Sequence, residues 1–207
     1  MPAVNVAKSA KSPWTRDREA EREQKREAVL RAAAAAFAEA GYHRTSLDDI
    51  ALRLGISKPT LYYYAKNKED LIAAVATRAA EQLEAPISAD PHAPAIAELR
   101  GFLKRYAEIA ATDFGRCFVL LNDSDLSAEG GSRVREGKGR IDRRIRELVA
   151  RGVDDGSIGP CDPKLTAFML AGAINGISSW YKEGGPVGAS TVAEIFVNQM
   201  MAGLLPR

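Results

Sequence analysis

The chain has 207 residues, of which 46% are apolar and 27% charged, with a formal net charge of +2. That is enough apolar material for a real core, so the disordered class is excluded, and 207 residues leave room for one large domain or two small ones. No charge-free apolar run reaches the length of a bilayer span, the N-terminus lacks the apolar block of a secretory signal, and Cys117 and Cys161 are too few for a disulfide scaffold. The expectation is a soluble cytoplasmic protein with reduced thiols, no cofactor and no membrane partner.

Residues 1–17, small, polar and basic, read as a flexible arm carrying Lys8, Lys11 and Arg16. From about Arg18 the pattern turns helical: Val29, Ala33, Ala36, Phe37 and Ala40 recur at the spacing of one buried helix face, and Gly41 ends it. Ser46 with Asp49 forms a capping-box start for LDDIALRL, which stops at Gly55. Ser57 then caps KPTLYYYA with Pro59 in its first turn, and Asn67 caps KEDLIAAVATRAAEQL. A Pro-rich loop closes this block. Further helices follow from the spacing of Ile96, Leu99, Leu103 and Tyr106, from Phe118 to Leu121, and from Ile141, Ile145, Leu148 and Val149. Asp162-Pro163 opens another that runs to about Tyr181, and Thr191 with Glu194 predicts a capping box before VAEIFVNQMMAGLL. No segment has a strand period. The fold class is all-α.

Residues 47–65, two short helices around Gly55-Ile56-Ser57, have the layout of a helix-turn-helix, whose second helix enters a DNA major groove. Gly55 permits the left-handed backbone that reverses the chain. Ile50, Ala51, Leu54 and Leu61 supply the apolar surface between the helices. Lys58, Pro59, Thr60, Tyr62, Tyr63 and Tyr64 lie on the second helix. A tyrosine can touch a base methyl or sugar with its ring and a phosphate with its hydroxyl. Three consecutive tyrosines span too much of a helix to share one role, so one packs inward. Tyr64 stays open between DNA and packing. Lys68 stands where a phosphate could be reached.

The run TSLDDIALRLGISKPTLYYYAKNKEDL, residues 45–71, preceded by FAEAGY, resembles the DNA-binding domain of TetR-type (tetracycline-repressor-like) transcriptional regulators. That resemblance implies a three-helix DNA-binding domain over residues 18–84 and an α-helical effector-binding and dimerisation domain over 95–205. It implies phosphate contacts from Thr45, Thr60, Tyr62 and Lys68, and groove contacts from Lys58, Pro59, Tyr63 and Tyr64. Many members of the family place Phe where this chain has Ala65, which leaves a volume for Tyr64 or Tyr62 to fill. It further implies a homodimer on double-stranded operator DNA. Gly172 and Gly176, four apart among small residues, suit close packing of the two C-terminal helices against their twins.

For the effector, the interior candidates are Phe102, Tyr106, Phe114, Phe118, Leu121, Phe168 and Trp180, with Asn122 and Asn175 as polar anchors. The segments DFGRCFVLLNDSDLS, GSIGPCDPKL and NGISSWYKEGGP resemble a branch of the family tied to fatty and steroid catabolism, which implies an acyl-CoA effector. In that reading Arg133, Arg140 and Arg144, on one side of a basic helix, meet the CoA phosphates. Gly137-Lys138-Gly139 is not a P-loop, since no Ser or Thr follows the lysine. Neither His43 nor His92 has partners at metal-ligand spacing, and no nucleophile–base set stands out, so no enzyme is expected. Two other readings are a helical small-molecule binder without DNA function and a helical enzyme acting on a thioester.

Overall fold

A computed structural model of the chain describes residues 13–85 and 92–206. Nine α-helices and one 3₁₀ turn, with no strand, occur among them. Helix α1 spans Pro13–Ala40, so residues 13–17 of the expected arm belong to a helix. Lys8 and Lys11 lie outside the described residues. Val29, Ala33, Ala36 and Phe37 are buried along one face of α1, as their spacing requires.

Helices α2 (Leu47–Leu54) and α3 (Lys58–Tyr62) form the helix-turn-helix. Both halves of the expected capping box are present at Ser46 and Asp49, and hydrogen bonds from Ser46 hold the Asp49 carboxyl below its usual range. Gly55 ends α2 at φ +64°, and the Ile56 amide donates back to the Ala51 carbonyl at 3.1 Å. A Cβ at Gly55 would meet nothing within 4 Å, so its backbone conformation, not space, calls for glycine. Helix α3 is shorter than KPTLYYYA. The Tyr64 and Ala65 amides both donate to the Leu61 carbonyl (2.9 and 3.2 Å), which tightens the chain into a turn carrying Tyr63 and Tyr64.

Helix α4 (Lys68–Glu84), capped by Asn67 through the Asp70 amide at 2.7 Å, leads out of this unit. It packs on α1, on α5 (Ala95–Ala110), on α6 (Asp113–Leu120) and on α7 (Ala128–Asp154). Helices α8 (Pro163–Trp180) and α9 (Ala189–Ala202) complete the chain, α8 against α5 and α7, α9 along α5. Asp162 caps α8 as expected. The Thr191–Glu194 capping box does not form: α9 begins at Ala189, and Glu194 is drawn to Lys104 (3.0 Å) and Arg100 (3.6 Å) on α5.

The apolar cluster runs without a break from α1 to α9, so the front and rear of the molecule share one core. Polar contacts add a second connection at the start of α4. Glu69 accepts from the Ser127 amide at 3.1 Å and from the Ser127 hydroxyl, which itself caps α7. A Cβ on Gly130 would come within 2.2 Å of the Glu69 carboxylate, so glycine there makes the contact possible. Beside it, His43 Nε2 lies 3.2 Å from Asp125 in the 3₁₀ turn.

Candidate DNA-binding and effector sites

Only Leu61 of α3 is buried. Lys58, Pro59, Thr60 and Tyr62 are exposed around it, followed by Tyr63 at 64% exposure. The helix is anchored by that one leucine, which joins Ile50 and Ala51 of α2 in the common core, α3 packing on α2. Lys58 is paired with Asp48 on α2 at 2.9 Å, an ion pair that raises its pKa and holds its charge at the N-terminal edge of α3. The Thr60 hydroxyl meets that of Ser57 at 2.8 Å.

The three tyrosines divide. Tyr62 and Tyr63 face outward, whereas Tyr64 is half-buried and packs on the core beside buried Ala65. Tyr64 therefore takes the inward role that the missing Phe leaves open. The Tyr63 ring stands edge-on to Tyr64 (5.1 Å, 89°), with the Arg22 guanidinium 5.4 Å from its centroid. Arg22, on the long α1, had no signal in the sequence, because nothing local links residues 22 and 63.

Thr45 and Lys68, two residues expected at phosphates, each have partners within the protein. Thr45 is buried at 3% exposure, and its hydroxyl is spent on the Ala36 and Gly41 carbonyls (3.2 and 2.9 Å). Lys68 turns back onto the α1–α2 turn, donating to the Tyr42 carbonyl at 2.9 Å, with its ammonium 4.5 Å over the Tyr42 ring. Both residues fix the turn that aims the helix-turn-helix.

In the rear half, the effector candidates separate into three groups. Tyr106, Phe118, Phe168 and Asn175 line an apolar cavity of about 180 Å³ between α5, α6, α7 and α8. The Tyr106 hydroxyl donates to Asn175 Oδ1 at 2.5 Å, and burial pushes its pKa up to about 12. Phe168 is half-exposed at the cavity edge, with Arg146 5.1 Å over its ring. The sequence reading missed Lys138, which also lines this cavity. Its ammonium donates to the Leu121 and Val119 carbonyls (2.7 and 3.3 Å), and burial lowers its pKa. Its signal was present in register alone, one helical turn before Ile141 and Asp142.

The second group, Phe102, Arg140 and Arg144, lines a depression of about 590 Å³ between α4, α5 and α7. Arg140 pairs with Glu84 at the end of α4 (2.6 Å), while Arg144 and Arg151 both reach Glu98 on α5. Arg143 joins this lining, but Arg133 does not and pairs with Glu129 instead. The third group lines neither space. Phe114 and Leu121 are core, Asn122 is exposed, and Trp180 is half-exposed, stacked on Phe196 of α9 at 6.1 Å.

Trp180 belongs to an open apolar face with Leu165 and Met169 of α8 and Ile195 of α9, each more than half exposed. Gly172 and Gly176 lie on the same stretch of α8, and a Cβ on either would meet nothing within 4 Å. No helix among the described residues is long and apolar enough to cross a membrane.

Comparison with known proteins agrees with this geometry. Residues 29–75 match the family model "Bacterial regulatory proteins, tetR family", and residues 92–204, more than half of the chain, match "Tetracyclin repressor-like, C-terminal domain". Over 183 residues the chain is 28% identical to YhgD, an uncharacterized HTH-type transcriptional regulator of Bacillus subtilis (strain 168), covering 85% of this chain and 94% of that one. Its fold is similar to that of the ketosteroid transcriptional regulator KstR2 of Mycobacterium tuberculosis (TM-score 0.77, 22% identity, 98% of this chain and 100% of that one). It is also similar to AibR in complex with isovaleryl coenzyme A and operator DNA (TM-score 0.73, 23% identity, 87% and 98%). The helix-turn-helix on a helical rear domain and both family matches lead to one assignment: the chain belongs to the TetR family of bacterial transcriptional regulators, which bind operator DNA and small-molecule effectors, typically as dimers.

Proposed function

We propose that this protein is a homodimeric repressor whose residues 18–84 bind an operator and whose residues 95–205 bind an acyl-CoA thioester that releases it. The observation that carries the effector is the pairing of two spaces on either side of α7, one apolar and one charged, in which Arg140, Arg143 and Arg144 stand among Glu84, Glu98 and Glu147. CoA presents phosphates that suit Arg140, Arg143 and Arg144, since guanidinium groups bind phosphate oxygens with paired, charge-assisted hydrogen bonds. An acyl chain suits the Tyr106–Phe118 cavity. There Lys138 has spent two of its three donors on backbone carbonyls and keeps one for a thioester oxygen. The isovaleryl-CoA complex of AibR supports the same chemistry.

Release follows from what Arg140 already holds. A phosphate at Arg140 competes with Glu84, the last residue of α4. Helix α4 is 17 residues long, about 25 Å at 1.5 Å per residue, and its far end carries Lys68 and Glu69 at the helix-turn-helix. Freeing Glu84 favours a different seating of α4, and the operator loses affinity by the difference in effector binding between the two seatings. The open face of Leu165, Met169, Trp180 and Ile195 serves the dimer, which sets the spacing of two α3 helices on DNA.

The test of the effector is thermal unfolding against a panel of acyl-CoAs, free fatty acids and CoA alone. A thioester at 100 times its dissociation constant adds about 2.7 kcal/mol. The expected result is a shift with thioesters and not with free acids. An unmoved melting temperature throughout the panel eliminates the acyl-CoA effector. On the DNA side, Tyr63→Ala is expected to cost about 1–3 kcal/mol of operator affinity, the range for a lost base contact. Lys68→Ala is expected to weaken binding with an unchanged salt dependence, because its ammonium holds the Tyr42 turn. A plot of log affinity against log salt that flattens by about one would return Lys68 to the phosphate backbone.

A further inference from the structure

The charged depression and the apolar cavity have a single lining residue in common, Ile141. Its place on α7 explains this. Arg140 and Arg144 lie on the side of α7 that faces α4 and α5, Lys138 and Asp142 on the side that faces α6 and α8, and Ile141 falls between the two rows. It is buried at 4% exposure, and Phe102 and Tyr106, one turn apart on α5, repeat the division opposite it, one in each space.

We infer that Ile141 is the partition that sets how much of an acyl chain gains affinity, rewarding short chains and adding nothing for longer ones. This rests on the acyl-CoA reading above. A thioester with its phosphates at Arg140 and Arg144 passes its chain by Ile141 to enter the Tyr106–Phe118 cavity. The cavity holds about 180 Å³, and an apolar cavity of about 150 Å³ accommodates benzene, so the space suits roughly six carbons. Each further methylene has no apolar wall left to bury against, and Ile141 is the residue whose bulk sets that limit. The ligand class is therefore a short-chain acyl-CoA. Tyr106 and Asn175, hydrogen-bonded to each other in the cavity lining, close the space with a polar pair that has no use for a longer chain.

The experiment measures dissociation constants of the full-length protein for acyl-CoAs from two to sixteen carbons. It compares the native chain with Ile141→Ala, Ile141→Val and Ile141→Phe. Native protein is expected to gain affinity up to about six carbons, by roughly 0.8 kcal/mol for each methylene buried, and to gain nothing further from longer chains. Ile141→Ala is expected to raise the preference for octanoyl over butyryl by about tenfold, from two newly buried methylenes. Ile141→Val, which removes a single methyl and keeps the core, moves the preference the same way by a smaller factor, and Ile141→Phe moves it toward acetyl and propionyl. A steady gain in affinity from hexanoyl-CoA through palmitoyl-CoA in native protein would overturn the partition. So would an identical chain-length profile in all three variants, with the acyl-CoA reading left standing. Failure of every thioester to bind native protein would overturn both.

Discussion

Leu61→Ala is expected to abolish specific operator binding and to lower the melting temperature by roughly 5–15 °C. Leu61 is fully buried and is the only buried residue of a five-residue helix. A helix that short has no stability of its own, because the first hydrogen-bonded turn costs more than it returns. What holds α3 is the Ser57 cap and the seat that Leu61 finds against α2 and the core. Truncating a buried leucine costs about 2–5 kcal/mol, and each kcal/mol moves the melting temperature by about 2–4 °C in a domain of this size. The side chains that α3 presents are displaced with it, so DNA binding falls further than stability alone requires. Leu52→Ala is the control: Leu52 lies on neighbouring α2 but is 82% exposed, and its loss is expected to change neither quantity measurably. Calorimetry and operator titration of both variants decide the matter. Operator affinity of Leu61→Ala within threefold of native would contradict the role given to α3.

The double reversal Arg140→Glu with Arg144→Glu is expected to reduce acyl-CoA affinity by about a hundredfold or more while operator affinity stays within a few-fold of native. Hydrogen bonds to charged groups contribute about 1.5–3 kcal/mol each, and two guanidinium partners for phosphate are lost together. The new carboxylates also face Glu84 and Glu98, whose partners Arg140 and Arg144 they replace, which leaves Arg143 as the one cation of the lining beside Glu84, Glu98 and Glu147. Folding is expected to survive, because these arginines are more than 40% exposed and such pairs contribute about 0–1 kcal/mol each. Arg133→Glu separates position from mere charge. It removes a cation from the same helix, but Arg133 pairs with Glu129 away from the depression, so ligand affinity is expected to hold. Calorimetric titration with the best-bound thioester reads all three proteins. An unchanged affinity in the double variant would remove the CoA site from α7.

The helix-turn-helix was legible because its signals are local. Ser46 and Asp49, Gly55, Ser57 with Pro59, and Asn67 each act on backbone groups within about one turn, so their chemistry can be read without knowing what packs above them. Buried faces of α1 and α4 were legible for a related reason, since a helical period of 3.6 fixes which side chains share a face. The extent of α3 was not. Whether Tyr63 and Tyr64 continue the helix depends on how Leu61 and Ala65 are drawn into a core built by distant segments. The same holds at Glu194, where cations on α5 outcompete a local cap.

The site residues divide along the same line. Sequence by itself determined an all-α chain of the TetR family, its helix-turn-helix over residues 47–65, and an outward Lys58 and Tyr63. Caps, turns and apolar periods are properties of neighbouring residues along one strand of backbone. Only the tertiary structure decided that Thr45 and Lys68 hold the α1–α2 turn, and that Tyr64 packs inward. It alone set Phe168 and Trp180 outside the core and put Lys138 inside a cavity. It alone joined Arg140 to Glu84 across 56 residues. An aromatic or a cation on a helix carries no mark of the element that will cover it. That choice belongs to the packing of α4, α5, α6, α7 and α8 around a shared core, where contacts distant in sequence compete for the same few side chains.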